Sequence, residues 1–275
     1  MSMNKGVNKV SIDEIYIPQP IKSIIDGKAY SLDDVGMSKS RVILFDDMVL
    51  KIGEADVHTA EEVSMMRWLS GKASVPRVIE HIAENGMSYL LMSRIKGRMA
   101  CDEYYLERPE KMVKLLAVAL RSLWSVDISD CPVSQNLDRE LKEAEFNVRN
   151  GLVDVNAVQP ETFGEGGFKD PEELLEWLKE NKPPIDPVLS HGDFCLPNIF
   201  FDGDNVSGYI DIGNSGVGDK WRDISLCYRS LKNNMNGGYG GKVYDNFDPD
   251  ILFDELKIEP NHERLRYWLL LDELF

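Results

Sequence analysis

Short apolar runs fill the first ninety positions, and longer runs with helical spacing fill the rest. Lys28 to Leu32, Arg41 to Phe45, Met48 to Ile52, Val78 to Ala83 and Ser88 to Met92 are β-rich and separated by turn residues, among them Asp46-Asp47 and Glu84-Asn85-Gly86. They predict a small antiparallel sheet. It is interrupted once, where Asp56 can cap a helix over Val57 to Leu69 with Val63, Met66 and Leu69 on one face. Beyond Gly97 the period is helical. Over Pro109 to Val126, Met112, Leu115, Leu116, Ala119, Leu120 and Leu123 share one side, the mark of a core helix. Further helices are expected at Leu137 to Arg149, Pro171 to Lys179 with Asp170 as N-cap, Asp219 to Leu231 and Asn261 to Leu274.

The stretch Ser190 to Gly213, SHGDFCLPNIFFDGDNVSGYIDIG, follows neither pattern. Two short apolar runs flank Asp202-Gly203-Asp204-Asn205, which reads as a hairpin that folds Asp211 back beside Asn198. Asp193 and Asn198 have the separation of the D-x-x-x-x-N catalytic loop of protein kinases. Phosphoryl transfer calls for such a set. One carboxylate (Asp193) orients the acceptor hydroxyl and takes its proton, while an amide oxygen (Asn198) and a second carboxylate (Asp211) hold Mg²⁺ against nucleotide phosphates. His191 is expected to brace the loop rather than to react.

Composition narrows the partners. The 275 residues carry 31 Lys and Arg against 47 Asp and Glu, a formal charge of −16. That argues against nucleic acid as a partner and favours a cationic ligand, besides serving solubility. No apolar run reaches the ~18 residues of a membrane span and no signal core opens the chain, so a cytoplasmic protein with no membrane partner is expected. Cys101, Cys131, Cys195 and Cys227 form no C-x-x-C pair, which points to reduced thiols rather than zinc.

Two charges in the strand-rich part fit the same chemistry. Lys51 ends a predicted strand, and Glu62 lies in the following helix next to its apolar face. As a surface pair they would contribute about 0–1 kcal/mol. In a kinase-like lobe the lysine contacts the α- and β-phosphates and the glutamate holds it, with Glu61 competing for the second role. Ser93 and Ile95 fall where the chain crosses between lobes, where backbone groups can pair with a purine edge.

The run SHGDFCLPNIF followed by SGYIDIGNSGVGDKWRDISLCYRS, together with YWLLLDELF at the chain end, closely resembles the aminoglycoside 3′-phosphotransferase family. The resemblance extends over nearly the whole chain from Tyr30. It implies an α+β, bilobal, protein-kinase-like fold with a nucleotide-binding lobe at 1–95 and a mainly helical catalytic and acceptor-binding lobe at 96–275. It also implies transfer from ATP or GTP, with Mg²⁺, to an aminoglycoside hydroxyl. Ser38, in Gly36-Met37-Ser38-Lys39-Ser40, corresponds to the family's phosphate-loop donor. Asp154, Glu161 and Glu165, with Glu273 and the terminal carboxylate of Phe275, correspond to its acceptor pocket, and Asp272 and Glu273 are expected to stay free for solvent or ligand. Asn214 and Asn233 depart from the family pattern, where Arg and Glu are usual, which bears on acceptor range rather than on phosphoryl transfer. Two alternatives stand beside this: a kinase of the same fold acting on another amine or sugar alcohol, and a nucleotide-binding module without catalysis. Acceptor-dependent ATP turnover separates the latter.

Overall fold

Residues 15–33 and 40–275 are described by the computed structural model. The chain divides into two units, residues 1–59 with 78–94 and residues 60–77 with 95–275. In the first, β1 (Ser31–Asp33), β2 (Arg41–Leu44), β3 (Met48–Glu54), β4 (Val78–Glu84) and β5 (Met87–Ser93) form one antiparallel sheet in the order β1-β2-β3-β5-β4. Its side chains alternate as a pleat demands: Met48, Leu50 and Ile52 of β3 are buried, and Val49 and Lys51 between them are half-buried. Asn85 and Gly86 join β4 to β5 with φ of 52° and 75°, the left-handed pair of a tight hairpin turn. One sheet face is covered by α1 (Gln19–Ile25), whose Ile21 and Ile25 pack with Ile17, Ile43, Phe45 and Leu50. The sequence pattern does not announce this helix, because its apolar signal is confined to Ile21, Ile24 and Ile25 within seven residues.

The boundary between units falls inside α2 (Val57–Leu69). Asp56 caps it as expected: its carboxylate accepts the Thr59 N–H at 2.8 Å while the Thr59 hydroxyl accepts the Asp56 N–H at 3.0 Å.

The second unit is helical around α4 (Pro109–Trp124), where Met112, Val113, Leu116, Ala119 and Leu120 are fully buried. Around it stand α3 (Glu103–Leu106), α5 (Leu137–Arg149), α6 (Pro171–Glu180), α7 (Lys220–Met235), α8 (Ile251–Leu256) and α9 (His262–Asp272). Two small antiparallel ladders complete it, with β6 (Arg98–Met99), β8 (Ile199–Asp202) and β9 (Asn205–Tyr209) in one and β7 (Pro187–Ser190) and β10 (Gly216–Asp219) in the other. Arg264 ties the second ladder to the helices by binding Asp186 at 2.9 Å and the Asp219 carboxylate at 3.2 Å, while Asp219 caps α7 through the Trp221 N–H. Among the described residues no helix is long and apolar enough to cross a membrane.

Candidate active site

The hairpin β8–β9 forms as the turn residues require, with Ile199 opposite Tyr209 and Asp202 opposite Asn205. One residue beyond β9, the Ile210 N–H donates to the Asn198 carbonyl at 2.9 Å, which brings Asp211 back beside Asn198. Asp211 is exposed and takes a left-handed φ of 56°. A left-handed conformation costs roughly 1–3 kcal/mol at a non-glycine residue and is the kind of strain that functional sites retain. On the other side, the Asn198 Nδ2 donates to the Asp193 carbonyl at 3.0 Å and to its carboxylate at 2.9 Å. Since both amide hydrogens turn toward Asp193, Oδ1 is presented away from it.

The loop carrying Asp193 is held by a residue that spacing alone does not reveal. Asp223 of α7 is fully buried and accepts three bonds at 2.9 Å, from the Ser190 hydroxyl and from the N–H groups of His191 and Gly192. Burial pushes its carboxyl above the usual range, and His191 and the three donors act against that rise. The signal was available: Asp223 lies four residues before buried Cys227, on the apolar stripe of its helix, where a solvated carboxylate has no place. His191 is a brace, as expected. Its Nδ1 lies 3.3 Å from the Asp193 N–H and its Nε2 lies 3.0 Å from the Ile210 carbonyl, so an imidazole protonated on Nε2 joins the Asp193 loop to the Asp211 segment. Phe194 and Tyr209 pack against its ring. Gly192 has φ of 81°, and a Cβ there would stand 2.0 Å from the Asn214 carbonyl oxygen, so only glycine fits.

The other expected residues take these places. Lys51 is central in β3, opposite Val42 and Leu90. Ser93 ends β5 opposite Met48, and the Ile95 side chain abuts Gly208 of β9. Glu62 is buried, with its side chain about where Gly213 leaves room, 3.9 Å from the position of a Cβ on that glycine. Glu61 is engaged elsewhere: its carboxylate accepts two bonds from the Arg139 guanidinium, at 2.9 and 2.7 Å. Ser38 lies outside the described residues. Asp154, Glu161 and Glu165 are exposed in the loop between α5 and α6, and Phe275 is exposed at the chain end.

Asp272 and Glu273 differ from expectation. Asp272 accepts a bond from Arg229 of α7. Glu273 is buried, accepts the Gln159 N–H at 3.1 Å and lies 3.7 Å from the same arginine. A carboxylate pair that reads as free in the sequence is neutralised within the protein, because a buried charge needs a partner.

A strand-rich unit with a central lysine, followed by a helical unit with this Asp-Asn-Asp loop, defines the kinase-like class of phosphotransferases. The chain belongs to the phosphotransferase enzyme family, whose model matches residues 33–267. It is 38% identical to the aminoglycoside 3′-phosphotransferase of Enterococcus faecalis over 269 residues, covering 94% of this chain and 98% of that protein. That of Staphylococcus aureus is 37% identical with the same coverage. In fold the chain is similar to the aminoglycoside phosphotransferase APH(3″)-Id of Streptomyces rimosus, with a TM-score of 0.78, 23% identity and coverage of 92% of this chain and 95% of that one.

Proposed function

We propose that this protein transfers the γ-phosphoryl group of ATP or GTP to a hydroxyl of an aminoglycoside, the 3′-hydroxyl by kinship, and so confers resistance. The observation that carries the reading is 38% identity to a named 3′-phosphotransferase across 94% of the chain, and the Asn198 contact to Asp193 and the return of the chain to Asn198 at Ile210 support it. The acceptor oxygen forms a bond to the γ-phosphorus while the bond to the β–γ bridging oxygen breaks. ADP or GDP leaves with that electron pair, and the hydroxyl proton passes to Asp193. Asn198 keeps the Asp193 carboxylate aimed through its amide hydrogens. The Asn198 Oδ1 and the Asp211 carboxylate are hard oxygens of the kind Mg²⁺ takes beside phosphate oxygens. The bound ion would offset charge on the β- and γ-phosphates.

Residues 1–95 serve as the nucleotide-binding lobe in this reading, with Lys51 on the phosphates, Glu62 behind it, Ser38 as a loop donor and the backbone at Ser93 and Ile95 on the purine. Residues 96–275 supply catalysis and acceptor binding. Exposed ion pairs contribute about 0.2–1 kcal/mol each, while micromolar affinity needs about 8 kcal/mol. Several carboxylates must therefore act on a polycationic acceptor, and Asp154, Glu161 and Glu165, with the terminal carboxylate of Phe275, are the set proposed. The net charge of −16 supports such a ligand. A cytoplasmic location fits a nucleotide donor and four unpaired cysteines. Phosphorylation replaces a hydroxyl by a dianion, which opposes binding of the drug to RNA. The test is turnover of Mg-ATP across a panel of aminoglycosides, with phosphorus NMR locating the ester. A 3′-phosphate is expected; ATP turnover that no aminoglycoside stimulates overturns the reading.

A further inference from the structure

In the sequence Glu61 competes with Glu62 for the lysine; in the structure its carboxylate has a different partner. Each of its oxygens accepts a bond from one terminal nitrogen of Arg139 of α5, at 2.9 and 2.7 Å. The Arg139 Nε binds Glu143, one turn along α5, at 2.9 Å, so the guanidinium is held from a second side. The Glu61 and Arg139 side chains are 20% and 26% exposed, so the pair is screened less than one in open water. Further contacts follow the same flank of α2. Four and seven residues past Glu61, the Met65 sulfur lies 3.9 Å from the Cys131 thiol and the Trp68 indole N–H donates to Asp130 at 3.1 Å. Lys72, just past the helix, binds the same carboxylate at 2.8 Å. That 4-3 spacing is one face of a helix, and all its partners lie between residues 130 and 139 of the same unit. Glu62 comes one residue after the clamped carboxylate. With Met66 and Leu69 it forms the adjoining buried stripe, and its carboxyl carbon lies 3.9 Å from where a Cβ on Gly213 would stand, two residues past Asp211.

We propose that Glu61 and Arg139 are positioning residues for nucleotide binding: the two-pronged pair fixes the rotation of α2 about its axis, and with it the place of the Glu62 carboxylate beside the Asp211–Gly213 segment. The effect on nucleotide affinity rests on the phosphotransferase reading; the anchoring of α2 does not. A single contact leaves a helix free to roll, whereas a planar fork on both carboxylate oxygens restrains direction as well as distance. Successive helical positions are about 100° apart, so a roll that breaks the Glu61 contact also carries Glu62 away from Gly213.

Two measurements separate this from an ion pair that only stabilises the fold. Hydrogen exchange at the amides of residues 60–69 is followed by NMR without nucleotide or acceptor, for wild type, Glu61→Gln, Arg139→Lys and Arg139→Ala. Arg139→Ala should exchange about tenfold faster there, and the two conservative variants less so, since glutamine keeps one acceptor oxygen and lysine keeps the charge without the fork. The Kd for Mg-ADP is then measured by calorimetry in a cycle with Glu62→Gln. Arg139→Ala should weaken binding about three- to tenfold when Glu62 is present and less than about twofold when it is replaced, because the clamp acts through Glu62. Unchanged exchange in Arg139→Ala overturns the anchoring. Equal weakening in the two backgrounds, or none in either, overturns the positioning role and leaves the pair a contributor to Tm alone. No acceptor enters either measurement, so a failure to phosphorylate aminoglycosides would count against the functional reading only, whereas a wild-type protein that binds no Mg-ADP would overturn both.

Discussion

The Asn198 amide nitrogen donates to both the carbonyl and the carboxylate of Asp193, at 3.0 and 2.9 Å, so two residues five apart in sequence act as one unit. In the proposed mechanism Asp193→Asn removes the proton acceptor, and it sets one carboxamide against another. It should lower kcat by roughly 10²–10⁴ with little change in nucleotide affinity. Single-turnover kinetics beside a nucleotide titration check this, and a loss confined to KM would remove the role. Asn198→Ala should in addition weaken the response to Mg²⁺, because it deletes a hard oxygen.

Asp223 and the main chain at His191 and Gly192 give a second prediction. Asp223→Ala leaves the Ser190 hydroxyl and the His191 N–H without their buried acceptor, each at about 1–3 kcal/mol, and the Gly192 N–H with the Ser190 oxygen alone at 3.1 Å. Asp223→Asn retains one acceptor oxygen but turns an NH₂ group toward an N–H. Both should lower Tm, alanine by more. Asp223→Asn assayed well below its Tm should still show a reduced kcat, because the Asp193 loop is no longer held in register. A normal kcat there would mean that Asp223 stabilises the fold without orienting the loop.

Much of this arrangement is legible in the sequence. The strands of the five-stranded sheet, helices α2, α4, α5, α6, α7 and α9 and the β8–β9 hairpin follow local periodicity and turn chemistry, which act over a few residues, whereas α3 and α8, of four and six residues, are too short to carry a helical period. The β7–β10 ladder is not, because it pairs Ser190 with Gly216 across a long excursion and carries no short-range period. The same limit hides the partners of Asp272 and Glu273. Charges at a chain end look solvated until Arg229 and Gln159 are brought to them by α7 and by a loop more than a hundred residues earlier. Glu61 is another such case: its two bonds come from Arg139, 78 positions on, while its neighbour Glu62 is buried beside Gly213.

Gly192→Ala should damage catalysis more than its size suggests. The added methyl would meet backbone of Asn214 at 2.0 Å, and φ of 81° is unfavourable for alanine. Backbone cannot yield as a flexible side chain can, so the Asp193 loop must shift. A displacement of about 1 Å can cost about 10²-fold in rate. The expected result is a kcat near that of the Asp193 variants with nucleotide affinity preserved; wild-type kcat would show that the loop accommodates the methyl.

Glu140 of α5 provides a stability prediction with a definite sign. Its residue is 3% exposed, and its Oε1 lies 3.2 Å from Arg222 without hydrogen-bond geometry. Burial pushes the carboxyl up to about 7 against the pull of Arg222, and Asp272, Glu143 and Asp223 act in the same upward direction as burial. Below about pH 4.5, the ordinary value, the group is neutral in both folded and unfolded chains and its contribution is fully present. Between there and pH 7 the unfolded chain releases the proton first, so stability drains away as pH rises, by on the order of 3 kcal/mol in total. Glu140→Gln removes the titration. Its stability relative to wild type should therefore increase from pH 5 to pH 8, whatever the offset between the two proteins at pH 5. Urea unfolding of both at the two pH values measures the change, and parallel pH dependences would mean that the Glu140 carboxylate is paired well enough by Arg222 to stay ionised throughout.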